Sequence, residues 1–125
     1  MNQKQTLLCG AALGLLGVAL GAFGAHALKP MLVGNGRLET FKLAVQYQFY
    51  HAFALLFTGM LVEKLGLPIL RWSSLLFFGG VILFSGSLYL FAVTNIGTFA
   101  IVTPLGGLLL LAGWSILAYA IAMKI

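Results

Sequence analysis

Four apolar stretches, residues 6–28, 37–62, 72–94 and 104–123, take up most of this 125-residue sequence. Each is long enough to cross a hydrocarbon core of about 30 Å as a helix, the last only just, with about 20 residues from Pro104. In lipid such a stretch satisfies its backbone by coiling. The expected fold is therefore an all-α membrane protein: one domain over residues 1–125, with four transmembrane helices in an up-down bundle. Composition agrees, since a chain that is 62% hydrophobic and 7% charged, with a mean hydropathy of +1.09, lies outside the soluble globular range.

Charge narrows the chemistry. Seven Lys and Arg stand against two acidic residues, for a net charge of +5, but the cations are scattered between apolar stretches rather than clustered. That spacing suits lipid headgroups and gives no nucleic-acid patch. The acids, Glu39 and Glu63, flank the second stretch and would lie roughly 36 Å apart along a helix. They cannot share a site, which removes paired-carboxylate hydrolysis and carboxylate-bound divalent metals. A Ser-His-Asp triad lacks its Asp. Cys9 is alone, so there is no intrachain disulfide, CxxC or zinc pattern. No catalytic residue, metal or cofactor is expected.

The first stretch ends in Ala25-His26-Ala27, which imitates a signal-peptide cleavage site, but its apolar run is too long and only Lys4 precedes it. Gly10, Gly14, Gly17, Gly21 and Gly24 recur at a mean spacing of 3.5, which aligns them in a stripe that lets another backbone approach closely. Ala12, Ala19, Ala22 and His26 lie opposite. With small residues on two sides, this helix is expected to be the most buried, and the stripe offers an interface for a neighbouring helix or a second copy of the chain.

Lys29-Pro30 is expected to end the first helix. Gly34-Asn35-Gly36 marks a turn, with Asn35 a candidate N-cap of the second. Glu63-Lys64 and Gly66-Leu67-Pro68 close that helix. Trp72 opens the third at headgroup depth, Asn95-Ile96-Gly97 breaks it, and Thr103-Pro104 reads as N-cap and N1 of the fourth. The third and fourth stretches share a pattern: Gly79-Gly80-x-x-Leu83-x-Ser85-Gly86 beside Gly106-Gly107-x-x-Leu110-x-Ala112-Gly113. Consecutive spans run antiparallel, so the shared pattern reads as one packing solution used twice, with Gly79, Gly86, Gly106 and Gly113 on the seam.

The second stretch carries Gln46-Tyr47-Gln48-Phe49-Tyr50-His51, five of whose residues bear a polar atom that hydrocarbon leaves unpaired unless another helix answers it. At 100° per residue Gln46 and Tyr50 share one line, Tyr47 and His51 the next, and Phe49, Ala52, Phe53 and Leu56 fall on an opposite, lipid-facing side. Ser85, Ser87 and Tyr89 are candidate partners for the two glutamines. Trp114 is expected to fill the core with its N–H on a carbonyl. His51 needs partners for one donor and one acceptor as a neutral ring. His26 approaches the same membrane side, at a depth differing by roughly 9 Å, which disfavours joint ligation of a haem.

Gly21-Ala-Phe-Gly-Ala-His-Ala-Leu28, Ala44-Val-Gln-Tyr-Gln-Phe-Tyr-His-Ala52, Leu83-Phe-Ser-Gly-Ser-Leu-Tyr-Leu90 and Thr103-Pro-Leu-Gly-Gly107 together resemble the YgdD-like family. The likeness covers nearly the whole chain, and the residues Lys29 to Gly36 match least. The resemblance implies a small four-helix protein of the bacterial inner membrane, in a family of unknown function, and supplies no catalytic residues.

Two functional classes follow from the polar cluster of His26, Gln46, Tyr47, Gln48, Tyr50 and His51. In the first, a non-enzymatic protein uses it to fix helix packing or a partner interface. In the second, a small transporter or channel uses it as a conduit. An enzyme binding haem or quinone between helices comes third, and no pair of broken half-helices marks a secondary-transporter site, which favours the first. Four spans put both termini on one side, with Lys4, Lys64, Arg71 and Lys124 there and Lys29, Arg37 and Lys42 on the other, a slight lean towards cytoplasmic termini.

Overall fold

A computed structural model describes all residues, Met1–Ile125. The chain is all-helical: α1 (Gln3–Ala25), the short α2 (Lys29–Gly34), α3 (Leu38–Leu65), α4 (Leu70–Thr94), a 3₁₀ turn (Gly97–Ile101) and α5 (Thr103–Lys124). Three stretches are long and apolar enough to cross a membrane: α1, α4 and Gly97–Lys124, which contains α5. α3 is the longest helix, at 28 residues, yet its glutamines and charged ends dilute its hydropathy.

Local chemistry sets the ends. α1 starts with a capping box, in which the Asn2 side chain accepts from the Gln5 N–H at 2.8 Å while Gln5 Oε1 accepts from the Asn2 N–H at 3.1 Å. It stops at Ala25, before Pro30 is reached, because His26 leaves the helical region at φ −123°, ψ −81°. Pro30 instead occupies the first turn of α2, where its missing N–H costs nothing. α3 ends on Gly66 at φ 64° and α4 on Asn95 at φ 56°. Both are residue types that tolerate the left-handed conformation.

α3 and α4 form the centre of the packing, with α1 laid against α3 and α5 against α4. Each pair is antiparallel. Gln3 Nε2 donates to the Gly59 carbonyl at 3.1 Å, while at the other end of α1 Gly24 lies against Phe41. Ser73 and Ser87 of α4 meet Gly113 and Thr103 of α5 in the same reversed order. The first helix is therefore not the most buried. It touches neighbours on one side only, whereas α3 and α4 are flanked on both, and Ala12, Ala19 and Ala22 are exposed.

The glycine stripe explains the side that is covered. Gly10, Gly17 and Gly24, spaced by seven, receive Leu56, Phe49 and Phe41 of α3, and a methyl group at Gly17 would lie 2.9 Å from the Phe49 ring. Gly21 meets Val45 more loosely, and nothing lies within 4 Å of the space beside Gly14. Phe49, Ala52 and Leu56 thus face α1 rather than lipid, since glycine hollows are filled by bulky side chains opposite. Of that group Phe53 is exposed.

On the α4–α5 seam the glycines in contact are Gly80, Gly106 and Gly113. A methyl at Gly106 would lie 2.8 Å from the Phe84 Cα and 2.9 Å from the Gly80 carbonyl oxygen, and one at Gly113 would lie 2.8 Å from the Phe77 ring. Gly79 only grazes Leu109, and Gly86 has open space beside it. On α4 the contact therefore falls at Gly80, one residue later than the shared pattern suggests, and Ser85 bonds to α3 instead.

Candidate functional site

The hexapeptide Gln46–His51 occupies the first half of α3, and the structure divides it. Gln48 is buried. It donates through Nε2 to the Leu13 carbonyl of α1 at 2.8 Å and accepts at Oε1 from the Tyr89 hydroxyl of α4 at 2.5 Å. One side chain thereby joins three helices. One turn earlier, the Ser85 hydroxyl of α4 donates to the Ala44 carbonyl at 2.8 Å, and Phe41 meets Tyr89 edge-on at 5.1 Å between centroids.

His51 is also buried and sits near the midpoint of α3. Its Nδ1 lies 2.7 Å from the Tyr47 carbonyl, and its Nε2 lies 3.0 Å from Nε1 of Trp114 on α5. A carbonyl only accepts and an indole N–H only donates. The two contacts together select the neutral ring with its proton on Nδ1. Phe77 packs on both rings, at 5.7 Å from His51 and 5.0 Å from Trp114. Trp114 N–H therefore finds the imidazole rather than a carbonyl.

The remaining members lie elsewhere. Tyr50 is half-exposed and Tyr47 half-buried beside it, with ring centroids 5.7 Å apart. Gln46 is exposed and lines a second, smaller groove with Glu39 and Lys42. Those two charges form an exposed ion pair at 3.4 Å. His26 caps the end of α1 in an exposed position, so the two histidines do not come together. No three His, Cys, Asp or Glu side chains gather in a group able to hold a metal.

Further polar ties join the helices. Ser73 donates to the Gly113 carbonyl at 2.8 Å, and the Ser87 and Thr103 hydroxyls meet at 2.6 Å. Thr103 is the first residue of α5 rather than its cap. Asn35 does not cap α3 but donates through Nδ2 to the Ala92 and Val93 carbonyls at 3.1 and 3.2 Å, while Arg37 Nε donates to Asn95 Oδ1 at 3.0 Å and its guanidinium lies over Phe91. Among buried side-chain polar atoms only Thr58 Oγ1 lacks a partner. The residues that sequence reasoning left out, Asn35 as a tie to α4 and Ser73, carry little local signal, because a helical serine or loop asparagine looks the same whether or not it reaches another chain segment.

α3 and α5 each pack on α4 and scarcely on one another, which leaves a groove of 760 Å³ between them. Tyr47, Tyr50 and His51 line one side, Phe84 the floor, and Gly107 and Trp114 the other side. Tyr47 stacks on Phe84 at 4.6 Å between centroids. Gly107 supplies no side chain, which leaves space on the α5 side.

All-helical packing around three membrane-length apolar stretches, with polar side chains paired between helices, defines an integral membrane protein. Comparison with known sequences gives the family. The chain belongs to the family described as protein of unknown function DUF423, whose model matches residues 20–107, and whose relatives are named UPF0382 membrane proteins. It is 39% identical over 118 residues to the membrane protein YwdK of Bacillus subtilis, covering 94% of this chain and 95% of that one. It is 39% identical over 114 residues to a relative in Staphylococcus haemolyticus, covering 91% and 92%. With the inner membrane protein YgdD of Escherichia coli K12 it shares 37% identity over 125 residues, covering 99% and 95%. No solved structure matches.

Proposed function

We propose that the chain is a non-enzymatic inner-membrane protein with four spans in an up-down bundle and cytoplasmic termini, whose central polar residues act as clamps between helices. The observation that carries this reading is the pairing of the cluster's two buried members, Gln48 and His51, and of Ser85 beside them. Gln48 is answered by Leu13 and Tyr89, His51 by Tyr47 and Trp114, and Ser85 by Ala44. A conduit needs polar groups free to exchange partners with a passing solute, and the buried ones, Gln48, His51 and Ser85, are taken up by the protein itself. The E. coli relative's name supports the inner membrane, and the antiparallel order of α1, α3, α4 and α5 supports four spans, with α3 made tolerable in lipid by the bonds its polar residues find.

Two measurements test this. In a Cys9→Ser background, Glu39→Cys and Glu63→Cys placed singly at the two ends of α3 should react with a membrane-impermeant maleimide from opposite sides; labelling of both from one side removes the span. A proton-flux assay in liposomes addresses the conduit. Flux above that of empty liposomes that disappears in His51→Asn would replace the clamp reading with transport.

A further inference from the structure

We propose that the groove between α3 and α5 binds a lipid-soluble quinone, held by the Tyr47 and Tyr50 hydroxyls against the aromatic floor of Phe84. The groove has the size and character of a ligand site, largely apolar with a few polar groups. Its polar groups are unequal. His51 and Trp114 satisfy one another at 3.0 Å. Tyr47 and Tyr50 also line the groove, and neither hydroxyl is engaged by another group of the chain, Tyr47 contributing only its backbone carbonyl, to His51.

Two phenol donors within a span are costly in hydrocarbon without an acceptor. An acyl chain filling the groove supplies none. A quinone supplies carbonyl acceptors on a flat ring, and three aromatic rings line the groove; Tyr47 and Phe84 stack on each other at 4.6 Å, so a bound ring lies along their outer edges beside Tyr50. An isoprenoid tail then has Leu108, Leu111 and Phe53 to lie along, all of them exposed on the outer side of the helices. Access is sideways from the bilayer, because α3 and α5 do not close on each other. No redox step is implied, only binding.

This inference rests on the four-span reading, since a groove outside the bilayer would meet no dissolved quinone. The two Trp residues make it measurable. Trp114 lines the groove, and Trp72 lies in the first turn of α4, outside it. Trp72→Phe protein in liposomes is titrated with decylubiquinone while Trp114 emission is followed. Saturable quenching is expected, with half-saturation raised at least fivefold in Tyr47→Phe/Tyr50→Phe and saturation lost in Gly107→Leu. A methyl at Gly107 would lie 3.9 Å from the Phe84 ring, so the larger side chain enters the groove without a backbone clash. Circular dichroism and gel filtration verify folding. Should Gly107→Leu misfold, the tyrosine pair alone decides, since neither hydroxyl ties two helices together. Linear quenching of equal slope in all variants overturns the proposal, as does quenching of Trp114 by brominated phospholipid that decylubiquinone does not displace. Because maleimide labelling reads the spans independently, linear quenching in protein labelled from opposite sides counts against the quinone alone, whereas labelling from one side overturns both.

Discussion

The Tyr89 hydroxyl donates to Gln48 Oε1 at 2.5 Å across the α3–α4 interface, and the same amide donates from its other end to Leu13 on α1. A helix carbonyl already bonded within its own helix still has a lone pair to offer, so Leu13 can accept without losing its place in the ladder. The amide therefore links α1 to α4, which otherwise touch little.

Removing either partner strands the other. Tyr89→Phe leaves Gln48 Oε1 without a donor, and Gln48→Leu leaves the tyrosine hydroxyl unpaired and removes the bond to the Leu13 carbonyl of α1. Each single change is expected to destabilise by about 1–3 kcal/mol, Gln48→Leu more, because it breaks two ties. The double variant should lose less than the sum, with a coupling of roughly 0.6–1.7 kcal/mol. Unfolding of the four proteins in detergent-lipid micelles measures it, and additive losses would mean that the two groups do not bond.

The glycines should fall into a ranked series. At Gly106 an added methyl meets Phe84 and Gly80 backbone atoms, which cannot swing aside, so Gly106→Ala must push α4 and α5 apart. A loss of about 1–3 kcal/mol is expected, as for other overpacked sites. At Gly17 the obstacle is the rotatable Phe49 ring, and the loss should be smaller. Gly14→Ala meets nothing and should be neutral or stabilising by up to about 1 kcal/mol through helix propensity alone. Thermal unfolding of the three variants gives the order, and equal effects at Gly14 and Gly106 would contradict it.

At the loop end, Arg37 joins α3 to the end of α4 by its Nε bond to Asn95 and by lying 4.2 Å from the Phe91 ring centroid. Arg37→Lys keeps the charge but loses the planar group that makes both contacts. A loss of about 0.5–1 kcal/mol is expected at this exposed site. Asn95 itself holds φ 56°, so Asn95→Gly should keep the turn while Asn95→Val strains it. Unfolding midpoints of the variants compare the two.

Most of the helical layout was legible because apolar length and breakers are local. The stripe of Gly10, Gly14, Gly17, Gly21 and Gly24 also points to a close approach, which the structure makes at Gly10, Gly17 and Gly24. What it could not announce was the side from which the partner comes: Phe49 and Leu56 look like lipid-facing residues until the hollows they fill are known. Likewise Gln46 and Gln48, two residues apart, are equivalent by composition, yet the 200° between them sends one to the Leu13–Tyr89 pair and the other to an exposed groove. Pro30 looks like a stop in the sequence and is a start in the structure, since proline suits both places.

The His51–Trp114 pair carries the last prediction. The ring must keep a donor on Nδ1 for the Tyr47 carbonyl and an acceptor on Nε2 for the Trp114 N–H. An amide has both functions on one short planar group, so His51→Gln or His51→Asn can restore at least one bond, whereas His51→Phe fills the space and strands the indole. The Phe variant should therefore lose about 1–3 kcal/mol and the amide variants less. Trp114→Phe removes the donor instead, leaving Nε2 unpaired beside the groove. Thermal unfolding in lipid nanodiscs provides the comparison, with near-ultraviolet circular dichroism reporting the loss of fixed packing around the indole. Equal stability of the Phe and Gln variants would mean that the imidazole fills volume and ties nothing.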